Sequence, residues 1–142
     1  MNGKRFSNKI NNLTEEDWQP LLALIPEIEP TNKFAKWAKE IISEDGEINM
    51  YPCTEFPIVS KFRDLAYDLN IIIDFDWGHW DEGREIVKNK DFDYDTLDIR
   101  TNCKIITAFV RNDRFCDGAL VGAFESGVIL KVLKSIERQV RK

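Results

Sequence analysis

Two stretches of the chain carry residues whose types and spacing could do chemistry. The first is Arg111-Asn112-Asp113-Arg114-Phe115-Cys116-Asp117-Gly118. Two arginines in a turn before a helix start could hold an anion through forked, charge-assisted hydrogen bonds. Backbone N–H groups at that start would add donors. Arg111, Arg114, Asp117, Gly118 and, further on, Glu125 are the candidates there. The same residues could be purely structural, with either arginine pairing to Asp113, Asp117 or Glu125 and locking a helix-turn-helix. The second stretch is Asp74-Phe75-Asp76-Trp77-Gly78-His79-Trp80. On a strand, Asp74 and Asp76 point to one face, as carboxylates holding a divalent cation do. His79 is the only histidine. Asp76 could equally cap the following turn, with Trp77 and Trp80 as largely buried core. Asp76, Trp77 and Trp80 complete the candidate ligand-binding set.

Other patterns fail on inspection. Asp91-x-Asp93-x-Asp95 copies the first three ligand positions of a calcium loop, but Thr96 stands where the glycine is needed and Asn102 where the bidentate glutamate is needed. Asp95 is better read as the cap of the long helix that follows, with Asp98 in its first turn. No second histidine or cysteine pair completes a transition-metal site. Cys116 sits among charges near a helix start, a setting that can lower a thiol pKa, yet His79 is its only available imidazole. Ser126 lacks the nucleophile-elbow pattern, and no P-loop or dinucleotide fingerprint is present. No catalytic residue, metal ligand or cofactor is therefore assigned.

The elements that must position these residues are mostly helices. Ile99, Cys103, Ile106 and Val110 recur at helical spacing as one apolar face, and Arg100, Lys104, Thr107 and Arg111 recur as a second, basic stripe. Phe115, Ala119, Leu120, Ala123 and Phe124 form another face. Gly118 and Gly122 beside it suggest close approach of a backbone or ligand, and Gly127 fits a helix end. Before them, Thr14 caps a helix through Trp18, Leu21, Leu22 and Ile25 that Pro26 stops. Pro30-Thr31 opens a second helix through Phe34, Trp37, Ala38 and Ile41. Glu47 to Tyr51 reads as an edge strand. Ile58, Phe62, Leu65, Ala66 and Leu69 make a third helix that Asn70 closes, and Ile71 to Phe75 is the best strand in the chain. A short amphipathic helix carries Ile86 and Val87, and Ile129, Leu133, Ile136 and Val140 mark a strong last helix. The predicted architecture is mainly α: about six helices with at most a small two-stranded β-ribbon, as one domain over 14–142 after a flexible segment 1–13.

Composition bounds the rest. A chain of 142 residues that is 43% hydrophobic and 11% aromatic can bury a core. Three cysteines cannot all pair, which with the absence of an apolar signal core or an 18-residue apolar run gives a cytoplasmic expectation without membrane insertion. The net charge of −5 hides an asymmetry: from Asp74 to Asp98 nine acids face Arg84, Lys88 and Lys90, whereas from Ile99 onward nine bases face four acids. Mutual attraction of the two segments is preferred over a polyanion-binding tail.

The run Thr107-Ala108…Arg111…Asp113-Arg114-Phe115-Cys116-Asp117-Gly118…Ala123-Phe124-Glu125-Ser126-Gly127, with Phe75-Asp76-Trp77 and Trp80 before it, resembles a family of small bacterial and phage-borne proteins catalogued as a domain of unknown function. The likeness is close over the C-terminal half and loose before it, and it implies no activity, cofactor or partner. From the residues, the first expectation is a non-enzymatic binding module for a partner protein or an anionic, nucleotide-like ligand at the Arg111–Gly118 turn. Nucleic acid is not expected as a partner, and a homodimer is compatible with the sequence. The alternative is a small metal-dependent hydrolase or nuclease using Asp74, Asp76 and His79.

Overall fold

The computed structural model describes residues 10, 12–36, 41–42, 48–49, 54–114 and 118–141. Helix α1 (Glu15–Leu22) starts at Thr14, whose hydroxyl accepts the Asp17 N–H while the Asp17 carboxylate accepts the Thr14 N–H, a capping box. It buries Trp18, Leu21 and Leu22. Pro26 does not stop this helix: it sits in the first turn of a separate short helix α2 (Ile25–Ile28), where a missing N–H costs nothing.

The helix expected from Pro30 to Ile41 does not form. Ala35–Lys36 is strand β1, Ile41–Ile42 is β2, Ile48–Asn49 is β3 and Thr54–Glu55 is β4. Strand β1 pairs antiparallel with β4 and β2 with β3, so the small β component is two ribbons. β3 falls within the expected edge strand. Tertiary partners decide the conformation at Phe34: its ring packs on Phe124 at 5.0 Å, its N–H donates to Glu125 Oε2, and its carbonyl accepts the Phe56 N–H. Trp37 and Ala38 lie outside the described residues.

Helix α3 (Pro57–Asp68) follows with Pro57 in its first turn and buries Val59, Phe62 and Ala66. Asn70 ends it in the left-handed region at φ 60°, and the Ile71 N–H reaches back to Ala66 O. Ile71 to Asp74 forms no strand: it has no regular secondary structure and pairs with no strand among the described residues, while Ile71 and Ile73 are buried and Asp74 faces water. Its polar atoms are satisfied by a helix side chain instead: Thr107 Oγ1 accepts from Ile73 N at 2.9 Å and lies 3.3 Å from Ile71 O. A 3₁₀ turn (Trp77–His79) then leads into α4 (Asp81–Lys88).

A second 3₁₀ turn (Tyr94–Thr96), capped by Asp93, precedes α5 (Ile99–Asn112). The cap of α5 is Asp98, accepting from Thr101 N at 2.7 Å, and not Asp95. The turn uses up Asp95's neighbourhood and leaves Asp98 as the extended residue directly before the helix. Asp95 pairs with Arg138. Helices α6 (Ala119–Glu125) and α7 (Val128–Val140) complete the chain, α5 packing against both. The result is mainly α, with one cluster of buried residues shared by every helix. Among the described residues no helix is long and apolar enough to cross a membrane.

Candidate functional site

Helix α5 presents two adjacent stripes to the surface, and each builds one part of the site. Ile105, Ala108, Phe109 and Asn112, at i, i+3, i+4 and i+7, line a groove of about 280 Å³ together with Trp77, Gly78, Trp80, Gly83, Arg84, Val87 and Lys88. Both tryptophans are partly buried, and Trp80 packs against the core. Trp80 touches Phe75 and Gly83 of α4, while the groove leaves part of both indoles open. Trp80 meets Phe75 edge-on at 5.4 Å and 84°, and Lys104 Nζ lies 5.3 Å from the Phe75 ring centre and 6.0 Å from that of Trp80. The basic stripe on α5 is therefore no solvated face. Lys104 covers aromatics, and Thr107 holds the Ile71–Ile73 backbone. Gly83 lets α4 approach, because a Cβ there would run into the Trp80 ring. Arg84 is already engaged, donating to Gly78 O at 2.7 Å.

The second part lies one turn along. Arg111 and Arg114 line a cleft with Ile73, Asp74, Phe75 and Trp77, and on their other side a shallow, polar one with Thr54, Glu55, Arg63, Tyr67, Val110 and Asp113. Neither arginine makes an ion pair or side-chain hydrogen bond among the described residues. The acid between them is spoken for: Asp113 Oδ2 accepts from Arg63 at 2.9 Å and Oδ1 from the Leu120 N–H at 3.1 Å. Arg63 also grips Glu55 with both terminal nitrogens, at 2.6 and 2.8 Å. This fork holds the Glu55 carboxyl below its ordinary range, against a smaller opposing effect of burial, and pushes the Arg63 guanidinium further up. The lock at this turn is thus Arg63, Glu55 and Asp113. The N-terminal donor of α6 at Leu120 is filled from within the protein.

The remaining sequence candidates divide. Arg111, Arg114, Asp74 and Trp77 meet at one cleft, and Trp80 lies in the adjoining groove. Glu125 stands apart, accepting from Phe34 N beside a crevice that includes Ile28 and Leu130. Gly118 is buried at the start of α6 with φ 89°, a backbone conformation that favours glycine. Gly122 is exposed with no heavy atom within 4 Å of a Cβ placed on it, so no close backbone approach accounts for it. Phe115, Cys116 and Asp117 lie outside the described residues. Asp76 pairs with His79 at 3.0 Å, but the two side chains are 74% and 86% exposed. Among the described residues no group of three His, Cys, Asp or Glu side chains could hold a metal ion.

Sequence reasoning missed Arg63, Tyr67, Lys88 and Asn112. For Arg63 a signal existed: Val59, Phe62, Arg63 and Ala66 occupy i, i+3, i+4 and i+7, so an arginine interrupts a buried stripe. A cation at such a position calls for a carboxylate partner. Asn112 repeats the pattern on α5, closing the stripe begun by Ile105.

A family model described as "Family of unknown function (DUF6508)" matches residues 13–142, and the chain belongs to that family. No curated protein and no solved structure matches it.

Proposed function

We propose that this family member is a non-enzymatic binding module whose ligand carries an anionic group of phosphate type, held at Arg111 and Arg114. The observation that carries this reading is charge without a partner among the described residues. Two guanidiniums stand at i, i+3 on one helix end while the intervening carboxylate is committed to Arg63 and Leu120. Both guanidiniums line the same two clefts, so one anion placed there would be attracted by both. Each guanidinium can donate a planar pair of N–H groups. One fork satisfies a carboxylate's two oxygens, whereas a phosphate has oxygens enough for both. Tyr67, 41% exposed in the shallow cleft on the arginines' other side, adds a hydroxyl there.

The metal-dependent hydrolase alternative draws support only from the Asp76–His79 pair, which stands in open solvent. A solvated pair competes poorly with water for a cation.

The test is a thermal-shift titration with inorganic phosphate against chloride at matched ionic strength. Phosphate should raise the melting temperature of the native protein and of Lys134→Ala. Arg114→Lys, which keeps the charge and loses the fork, should respond much less. If Arg114→Lys loses stability but keeps the full phosphate response, the arginine is structural and the reading fails.

A further inference from the structure

The groove under the tryptophans has its own lining and touches the arginine cleft through one shared side chain, Trp77. It is mostly apolar, with Ile105, Ala108 and Phe109 from α5 below the two indoles. Besides Arg84, which donates to Gly78 O, two residues with polar side chains line it, Asn112 and Lys88, and neither has a side-chain hydrogen bond or ion pair among the described residues. An apolar hollow with a few placed polar groups is the usual form of a small-ligand site. At about 280 Å³ it stands at the foot of the range for such sites, with room for a planar ring system and not for a helix. Indole and phenyl walls favour a flat aromatic occupant. A plain hydrocarbon would desolvate Asn112 and Lys88 without replacing their bonds to water, which opposes binding. A ring bearing nitrogen and carbonyl acceptors would pair with both. Trp77 lines both the groove and the cleft of Arg111 and Arg114, so such a ring lies one side chain away from two arginines without a partner among the described residues.

Resting on the reading of Arg111 and Arg114 as an anion site, we propose that the ligand is a heteroaromatic phosphate of the nucleoside-monophosphate type, its base in the Trp77–Trp80–Phe109 groove against Asn112 and its phosphate past Trp77 at the arginines. The groove sets which ring is taken, and the arginines supply the anion's share of the affinity.

Calorimetric titration of the full chain with the four common ribonucleoside monophosphates, their nucleosides and inorganic phosphate separates the two halves. The best monophosphate should bind at least about ten-fold more tightly than its nucleoside or phosphate, the scale of one good added interaction. Ala108→Leu, which fills the groove floor, and Asn112→Ala should each remove most of that gain and leave phosphate binding unchanged. Arg114→Lys should weaken the monophosphate and phosphate alike while sparing the nucleoside. Two groove variants are used so that a folding defect in one, seen as a lowered melting temperature, leaves the other to decide. If every monophosphate binds no better than phosphate, the groove is not a base site, and the anion reading stands alone. If nucleosides bind and phosphate does not, the arginine reading falls and the two-part ligand falls with it. Absence of binding by all three probe classes overturns both.

Discussion

Arg63 illustrates how one side chain can set the role of two others. Because it takes Asp113, the arginines on either side of that acid are left without a partner among the described residues. Its own fork to Glu55 is about three-quarters buried on both sides. Arg63→Ala should therefore cost about 2 kcal/mol, the range of hydrogen bonds to charged groups left partly unpaired. Arg63→Lys should recover only part, since an ammonium cannot span both Glu55 oxygens. Urea midpoints would show it, and a change below about 0.5 kcal/mol, the scatter of ordinary surface substitutions, would remove Arg63 as the lock. A pH dependence follows from the same contact. Glu55 is held below its free value of 4.5 by the Arg63 hydrogen bonds, so the folded state binds its proton less readily than the unfolded chain. That contribution is complete above the unfolded value and is lost as pH falls through the lower folded one. Asp98 behaves in the same way, through its hydrogen bonding to Thr101. Stability of the native protein should drop on acidification below pH 4.5, and Arg63→Ala should show a shallower drop in the same window.

At the scale of elements, the site exists because an extended segment and a short helix are tied along α5. Thr107 makes the tie, accepting from the buried Ile73 N–H. Thr107→Val keeps the shape and removes the oxygen, stranding that N–H at about 1–3 kcal/mol. Hydrogen exchange at Ile73 should quicken in the variant; unchanged protection there would mean that the tie is elsewhere. The glycines offer a paired test. Alanine is worth about 1 kcal/mol over glycine in a helix interior. At Gly122 nothing obstructs a Cβ, so Gly122→Ala should stabilise by up to about that amount. At Gly83 the Trp80 ring occupies the space, so Gly83→Ala should destabilise and shift the near-ultraviolet dichroism of the indole. Equal and favourable effects at both positions would contradict the packing of Trp80 on α4.

For the molecule as a whole, charge is organised in two ways. The cations of α7 and its C-terminal cap are matched: Lys134 with Glu29, Arg138 with Asp95, Arg141 with Glu15 and Glu137, and Lys131 with the Lys90 carbonyl. One of these pairs, Arg138 with Asp95, joins the basic C-terminal third to the acidic middle segment; the others reach Glu15, Glu29 and Glu137. Such exposed pairs are worth about 0–1 kcal/mol each and are screened by salt. Lys134→Ala should accordingly change the urea midpoint hardly at all. Raising salt to about 0.5 M, where screening reaches only a few ångströms, should weaken phosphate binding at Arg111 and Arg114 far more than it weakens the fold. A fold that loses as much as the ligand does would show that the α7 pairs carry more stability than their exposure allows.

The mainly helical class, helices α1, α3, α5 and α7, the Thr14 cap and the Asn70 helix end were all legible in the amino-acid sequence. Each is dictated within a few residues: a helical face is a spacing, and a cap is a side chain two or three positions from the N–H it accepts. The two unusual arginines and the tryptophan pair were legible as residue types in the same way. Where the answer depended on a distant partner, local pattern misled. Ile71 to Phe75 has a strand's β-branched and aromatic residues, but such a run cannot say whether the backbone meets another strand or a threonine on a helix. Residues 30–36 have a helix's spacing, yet Phe34 is claimed by Phe124 and Glu125 from the far end of the chain. Asp113 looks from the sequence like the partner of its neighbours, and Arg63, fifty positions away, takes it. A sequence period reports only which side of its own element a residue occupies. Which of two arginines reaches a carboxylate first is set by how α3 and α5 lie together, and only the tertiary structure decides that.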